Sequence, residues 1–180
     1  MRKASVLLVA FLSTVALGQN VTLSMAPARA RPGGTVVVPI KLASAGGAET
    51  VGIQWSLIYS SDITDVSMAI GNAGTIAHKT LSCNGNLCFV AALNQTIIPD
   101  GTVAIATFHI APKPFAQSIP IQISGVVAAS AVAQSIPVKS VSGTIALLSN
   151  GWVRRFLDCS IWATLIPKAT TTTIPRTSDL

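Results

Sequence analysis

The chain has 180 residues and a formal net charge of +6, yet only 10% of its residues are charged while 50% are hydrophobic. Between residues 20 and 148 the charges nearly balance, with six basic residues and four acidic ones. This region lacks a basic surface interleaved with aromatic residues, which argues against a nucleic acid partner. The abundance of Ser, Thr, Val, Ile, Ala and Gly is typical of a β-rich extracellular domain.

The N-terminus has the pattern of a secretory signal. A basic start, "MRK", precedes the apolar run "ASVLLVAFLSTVAL", and Ala16-Leu17-Gly18 provides small residues around a cleavage position. We therefore predict a signal peptide over residues 1–18 and a secreted or cell-surface chain with no membrane span after cleavage. An uncleaved anchor is the alternative, but the apolar run is shorter than the roughly 20 residues of a spanning helix.

Short strands separated by turn signals fill residues 19–148. They are predicted at 21–25, 35–42, 51–60, 63–70, 80–93 (a hairpin), 102–110, 118–129 and 135–148. No stretch has persuasive helical periodicity, and "GNAGTIAHK" is predicted as a loop. Eight or nine short strands with regular turns predict an all-β fold and a β-sandwich.

Two of these strands show clear alternation of side chains. In 51–60 one face is apolar and is expected to be core: Val51, Ile53, Trp55, Leu57 and Tyr59. Gln54, Ser56 and Ile58 then point the other way and are candidate surface residues. In 102–110 the set Ala104, Ala106, Phe108 and Ile110 shares one side. Pro39 in the strand 35–42 indicates an edge strand or a bulge, because proline cannot donate to a sheet ladder.

The segment "LSCNGNLC" contains two of the three cysteines. A two-residue turn at Gly85-Asn86 places Cys83 opposite Cys88 in a pair whose side chains approach closely. A zinc site would need two more ligands from His78, His109 and Cys159, and the C-x-x-C redox spacing is absent. We predict a disulfide that fixes the register of this hairpin and leaves Cys159 unpaired.

Catalytic and metal-binding patterns are weak. His78 and His109 belong to no nucleophile or zinc motif, and Asp62 with Asp65 at a strand start is typical of a solvated turn. Those two aspartates and Asp100 could ligate Ca²⁺, but stabilisation of turns is the favoured role. The sequence therefore predicts no enzyme, no catalytic residue, no metal site and no cofactor.

The tail, residues 149–180, departs from the strand pattern. It begins with a mixed apolar and basic stretch and ends in "ATTTTIP", which is typical of a linker or a disordered end. Residues 152–166 could form a short amphipathic helix, too short and too charged to span a membrane.

The region of about residues 20–148 resembles a cohesin domain. The matching pieces are "VTLSMAPARARPGGTVVVPIKL", "VGIQWSLIYSSDITDVSM", "LNQTIIPDGTVAIATFHI" and a closing "VSGTIAL". The resemblance implies a jelly-roll sandwich of about nine strands, related in fold to carbohydrate-binding modules and found in secreted bacterial proteins. It also implies a non-catalytic module that binds dockerins in polysaccharide-degrading or surface assemblies.

The resemblance suggests where a protein partner would bind. The segment "IQWSLIYSS" and the strand from Thr102 would contribute, which makes the candidate partner-binding residues Gln54, Ser56, Ile58, Ser60 and Asp62. Family members usually carry Tyr-Asp-Pro where this chain has Tyr59-Ser60-Ser61, with Asp62 displaced. The partner is expected to be a dockerin-like or other extracellular protein. Direct polysaccharide binding is the alternative, although no strip of aromatic residues is evident.

Overall fold

The computed structural model describes residues 20–148. The predicted signal peptide (1–18), the tail (149–180) and Cys159 lie outside the described residues. Within that range no helix combines the length and the apolar character needed to cross a bilayer.

The described region contains twelve strands and one short helix. In chain order they are β1 (Asn20–Met25), β2 (Ala28–Ala30), β3 (Thr35–Ala45), β4 (Thr50–Ile58), β5 (Ile63–Ile70), α1 (Asn72–Ile76), β6 (Thr80–Asn84), β7 (Leu87–Ala91), β8 (Gly101–Ile110), β9 (Ser118–Ser130), β10 (Ser135–Ile136), β11 (Val138–Val141) and β12 (Gly143–Leu147). The predicted all-β fold is confirmed.

The strands form two sheets whose inner faces share one hydrophobic core. The five-stranded sheet has the order β11-β1-β3-β8-β5. The seven-stranded sheet has the order β2-β12-β9-β4-β7-β6, with β10 paired to β9. Most neighbours are antiparallel, while β1 with β11 and β2 with β12 are parallel. The predicted β-sandwich is therefore the observed architecture.

Three short strands account for the difference between the predicted nine strands and the observed twelve. β2 lies in the Pro/Gly connector that follows β1. The predicted final strand, 135–148, is divided, since β10 and β12 pair with β9 whereas β11 crosses to β1 in the other sheet. Pro137 stands at the first crossing, where a residue without an N–H interrupts a ladder. The predicted loop after β5 contains the five-residue helix α1.

The alternation seen in the sequence correctly identifies the core. Ile53, Trp55 and Leu57 of β4 are buried, and Ala104, Ala106, Phe108 and Ile110 of β8 are buried opposite them. Val51 is only half-buried because a register shift between Thr50 and Gly52 turns Thr50 inward instead. Tyr59 is also half-buried, with its ring edge-on to Phe108 at 6.3 Å between centroids.

Pro39 does not mark an edge strand, because β3 lies between β1 and β8. The β1 ladder ends at the pair Met25 and Ile40, so Pro39 lies just beyond it on that side. On the β8 side the register shifts between Ile40 and Lys41, one residue after the proline. The missing N–H is thus accommodated beside a bulge and past the end of a neighbouring ladder.

Candidate partner-binding surface

The outer side of the strands β9, β4, β7 and β6 is a continuous surface. Across it Gln54 pairs with Val127 on one side and with Phe89 on the other. In the next outward row Ser56 pairs with Leu87, and Ile58 ends β4. These side chains face away from the core because the residues between them, Trp55 and Leu57 among them, are buried. We call the outward set the uncharged face: Gln54, Ser56, Ile58, Leu87, Phe89 and Val127.

Four large apolar side chains are exposed on the uncharged face. Ile58, Leu87, Phe89 and Val127 each keep between 40% and 52% of their surface accessible to solvent. Leu87 and Phe89 are neighbours on the same side of β7, and Val127 lies across Gln54 from Phe89. Exposed apolar residues that are grouped in this way mark interaction sites more often than isolated ones do.

Charge is absent from these strands altogether. The sequences of β4, β6, β7 and β9 contain no Asp, Glu, Lys, Arg or His. In contrast, the outer side of the five-stranded sheet bears four ionisable residues, and we call it the charged face: Lys41, Asp65, His109 and Lys139. Depletion of charge at the centre of a patch is the compositional signature of a protein interface.

Three of the five candidate residues predicted from the sequence lie together on this surface. Gln54 and Ile58 are exposed, and Ser56 is half-buried between them. Ser60 is exposed in the turn that follows β4, and its hydroxyl oxygen accepts a hydrogen bond from the Asp62 N–H at 3.3 Å. All four could be reached by a partner that covers the end of β4.

Asp62, the fifth candidate, is not a surface residue, and its prediction as a contact needs correction. It is only 3% exposed. Its carboxylate oxygens accept hydrogen bonds from the backbone N–H groups of Phe115 at 2.9 Å and Ala116 at 3.1 Å. A buried carboxylate has to be satisfied by donors, and here the donors come from the loop between β8 and β9. Asp62 therefore organises a loop rather than presenting a charge.

The strand from Thr102 also lies elsewhere than predicted. It is β8, the fourth strand of the five-stranded sheet, whereas β4 belongs to the other sheet. Outward residues on β8 and on β4 point in opposite directions, so one flat partner cannot cover both. The prediction that these two strands share a binding surface was wrong.

Leu87, Phe89 and Val127 were not predicted from the sequence. In β7 the outward residues, Leu87 and Phe89, are as apolar as the inward ones, Cys88 and Val90, so alternation gives no contrast. In β9 a bulge at Gly125, whose φ is +58°, shifts the pattern by one residue before Val127. Only the pairing with β4 identifies the outward side of these strands.

The predicted hairpin disulfide is confirmed and lies behind the uncharged face. Cys83 pairs with Cys88 in the ladder, the turn residues are Gly85 and Asn86, and the Cα atoms of the two cysteines are 4.1 Å apart. The Gly85 φ of +58° suits a turn with glycine at its first central position.

The tip of this hairpin is tied to β4. Asn86 is the link, since its carbonyl oxygen accepts a hydrogen bond from the Leu57 N–H at 3.0 Å. Its side-chain oxygen accepts another from the Tyr59 hydroxyl at 2.9 Å. A cleft of about 180 Å³ beneath Tyr59 opens between β5 and β6. This is smaller than the roughly 300–1,000 Å³ of pockets that hold drug-sized ligands.

The titratable residues are dispersed rather than grouped. His109 is exposed at the end of β8, with Nδ1 3.2 Å from the Thr35 hydroxyl and Nε2 4.0 Å from the Asp65 carboxylate. His78 lies in the loop after α1, at the other end of the sandwich.

Among residues 20–148, no three His, Cys, Asp or Glu side chains are placed to hold a metal ion. Asp100 accepts a hydrogen bond from the Ser44 N–H at 2.8 Å, a loop-stabilising role like that of Asp62.

Lys79 is buried without an acidic partner in the described region. Its ammonium donates hydrogen bonds to the backbone and side-chain oxygens of Asn94, at 3.1 and 2.6 Å. Burial lowers the pKa of Lys79, because the charged form loses solvation. The Asn94 amide in turn donates to the His78 carbonyl at 3.0 Å, so this group fastens the β7–β8 loop to the start of β6.

Comparison with known proteins rests on structure alone. No protein-family model matches the chain, and no curated protein sequence matches it. A non-cellulosomal cohesin from the archaeon Archaeoglobus fulgidus is 20% identical, with a TM-score of 0.60 over 75% of this chain and 96% of that one. The sixth cohesin of Acetivibrio cellulolyticus scaffoldin B, solved with a Cel5 dockerin, is 21% identical, with a TM-score of 0.58 over 73% and 99%.

A third similar structure is the cohesin of the OlpA–Doc918 type I cohesin–dockerin complex from Clostridium thermocellum. It is 16% identical, with a TM-score of 0.59 over 72% of this chain and 99% of that one. At these identities the likeness concerns the fold. The described region has a cohesin-like fold, and it matches nearly the full length of each of these cohesins.

Proposed function

We propose that this chain is an exported, non-catalytic binding module that captures a dockerin-like protein through the uncharged face. The observation that carries the proposal is the group of four exposed apolar residues on strands without a single ionisable side chain. Two of the similar cohesins were solved with a dockerin, which supports this class of partner.

The chemistry of the uncharged face suits a protein surface. Ile58, Leu87, Phe89 and Val127 offer apolar area whose burial favours association by about 25 cal/mol per Å² removed from water. Gln54, in the middle of this group, supplies an amide for directional hydrogen bonds. The face lies on hydrogen-bonded strands, so its backbone is already ordered before a partner binds and little conformational entropy is lost on binding. A typical interface buries about 800 Å² of each partner, and such a footprint would reach beyond the six residues.

Direct polysaccharide binding is less well supported. Sugar-binding sandwiches stack aromatic rings on pyranose faces, and Phe89 is the single aromatic residue of the uncharged face. Trp55 and Phe108 are buried in the core, and Tyr59 is half-buried behind β4. One phenyl ring does not make a platform for a sugar chain.

Export is part of the proposal. The signal pattern at residues 1–18 supports it, and the Cys83–Cys88 disulfide is stable in an oxidising compartment. A cohesin-like module in that compartment would serve extracellular polysaccharide degradation or the assembly of a cell surface.

The test is a capture experiment with two forms of the chain from residue 19 onward. The wild type and a Leu87→Asp variant are immobilised in parallel and exposed to the secreted proteins of the source organism. We expect the wild type to retain a protein with a duplicated Ca²⁺-loop segment of the dockerin kind, and the variant to release it. Insoluble polysaccharide is offered to both forms as a second ligand.

Two results would contradict the proposal. Retention of the same proteins by wild type and variant would show that the uncharged face takes no part in binding them. Tight binding of wild type to polysaccharide, with no protein retained, would establish the carbohydrate-binding alternative. Thermal unfolding of the variant serves as the control, because a folded Leu87→Asp chain is required before any loss of binding is attributed to the face.

A further inference from the structure

The loop between β8 and β9, residues 111–117, presents Phe115 with 95% of its surface exposed. A single exposed apolar side chain is ordinary on a protein surface. Phe115 differs from such a residue because its backbone is held by hydrogen bonds, while its ring packs against almost nothing within the described region.

Asp62 holds this loop at both of its ends. At the beginning, the Ala111 N–H donates to the Asp62 carbonyl oxygen at 2.8 Å. At the end, the Phe115 and Ala116 N–H groups donate to the two carboxylate oxygens of Asp62. Hydrogen bonds accepted by a carboxylate are roughly twice as strong as those between neutral groups.

Two prolines stiffen the same loop. Pro112 and Pro114 flank Lys113 and fix their own φ angles, which lowers the conformational entropy that ordering the loop costs. The Gly33 N–H also donates to the Ala111 carbonyl oxygen at 2.9 Å. The backbone that carries the Phe115 ring is therefore already constrained, and little of its conformational entropy would be lost on binding.

The position of Phe115 places it beside the uncharged face. Asp62 follows Ile58 by four residues, so its Cα lies within about 14 Å of the Ile58 Cα. The loop leads directly into β9, which pairs with β4 through Gln122 and Ile58. An interface of 800 Å² is roughly 30 Å across, so a partner seated on Ile58 and Ser60 can reach Phe115.

We infer that Phe115 is an anchor residue of the binding surface, one that inserts its ring into an apolar pocket of the protein bound by the uncharged face. Asp62 is its positioning residue and touches no partner. The partner must then present two features, an apolar and uncharged surface for the sheet and a pocket of phenyl size at the margin. This inference rests on the proposed function.

The test measures the affinity of four variants for one defined probe. The probe is the purified protein that the wild type retains and Leu87→Asp releases. Phe115→Ala is expected to weaken binding at least tenfold without changing the thermal midpoint. Leu93→Ala is the matched control, since Leu93 is fully exposed in the β7–β8 loop at the opposite end of the sandwich. It should bind within twofold of wild type.

Asp62→Asn separates positioning from general stability. Placed in the wild-type chain it should weaken binding by threefold or more, whereas in the Phe115→Ala chain it should change affinity less than twofold. This non-additivity is expected if Asp62 acts through Phe115. Faster amide hydrogen exchange at Phe115 and Ala116, with unchanged exchange in β4, is the accompanying signature.

Each outcome decides a different point. Phe115→Ala that binds like wild type overturns the anchor while the proposed function stands. Equal losses from Asp62→Asn in both backgrounds overturn its positioning role. Absence of any probe that depends on Leu87 overturns the proposed function, and the anchor with it.

Discussion

The charged face and the uncharged face lie on opposite sides of this sandwich, arise from the same strand alternation and differ in chemistry. The charged face displays Lys41, Asp65, His109 and Lys139, and its exposed Val37 is paired with Thr107. The uncharged face displays grouped apolar residues around Gln54. The core needs only the inward residues of each strand, so the outward residues are free to differ. Exposed apolar area without charged residues lowers the solubility of a protein. Such a face is therefore expected where a partner covers it.

The largest expected difference between the faces is their response to a new charge. Leu87→Asp places a carboxylate among the exposed apolar residues of the uncharged face, and we expect at least a 100-fold loss of affinity because that charge would be desolvated on binding. Val37→Asp makes the equivalent change on the charged face and should alter affinity less than twofold. Titration calorimetry with the captured partner measures both. Loss of binding with Val37→Asp but not with Leu87→Asp would show that the partner binds the charged face and not the uncharged face.

A smaller effect is expected on stability from the two neighbouring aspartates. Asp62→Ala removes the buried carboxylate that accepts the Phe115 and Ala116 N–H groups, and it should lower the free energy of unfolding by about 2 kcal/mol. Asp65→Ala on the charged face removes an exposed carboxylate 4.0 Å from His109 and should cost less than about 0.5 kcal/mol. Denaturant unfolding of both variants checks the contrast. Equal losses would mean that the Asp62 hydrogen bonds contribute little.

The hairpin disulfide should affect the uncharged face more than the fold. A Cys83→Ser, Cys88→Ser double variant lacks a cross-link that closes a very short loop, so the free energy of unfolding should fall by no more than about 2 kcal/mol. Because Leu87 and Phe89 lie on the hairpin that it fixes, affinity should fall by a factor of three to ten. Cys159 is retained in both chains, which isolates the effect of the bridge. Unchanged affinity would show that the Asn86 hydrogen bonds suffice to hold the hairpin.

The smallest expected effect is that of salt. Binding through the uncharged face should change less than about twofold between 0.05 and 0.5 M NaCl, because screening acts only on charges. Binding through Lys41, Asp65 and Lys139 would instead weaken as salt is added. A steep salt dependence measured by calorimetry would therefore favour the charged face as the docking surface.

The sequence by itself determined the local features of this protein. Alternation over β4 identified Ile53, Trp55 and Leu57 as core, since side chains of a strand alternate strictly between its two sides. The Gly85-Asn86 turn fixed the pairing of Cys83 with Cys88 for the same local reason. Gln54, Ser56 and Ile58 followed as outward residues. Each of these conclusions depends on residues close to one another in the chain.

Only the tertiary structure decided which strands share a face and which polar residues are buried. It placed β4 and β8 in opposite sheets, divided residues 135–148 between both sheets, and brought Leu87, Phe89 and Val127 together around Gln54. It also buried Asp62 under a loop that begins about fifty residues later. These relations depend on pairing between distant segments, and local alternation carries no information about which distant segment will be the neighbour.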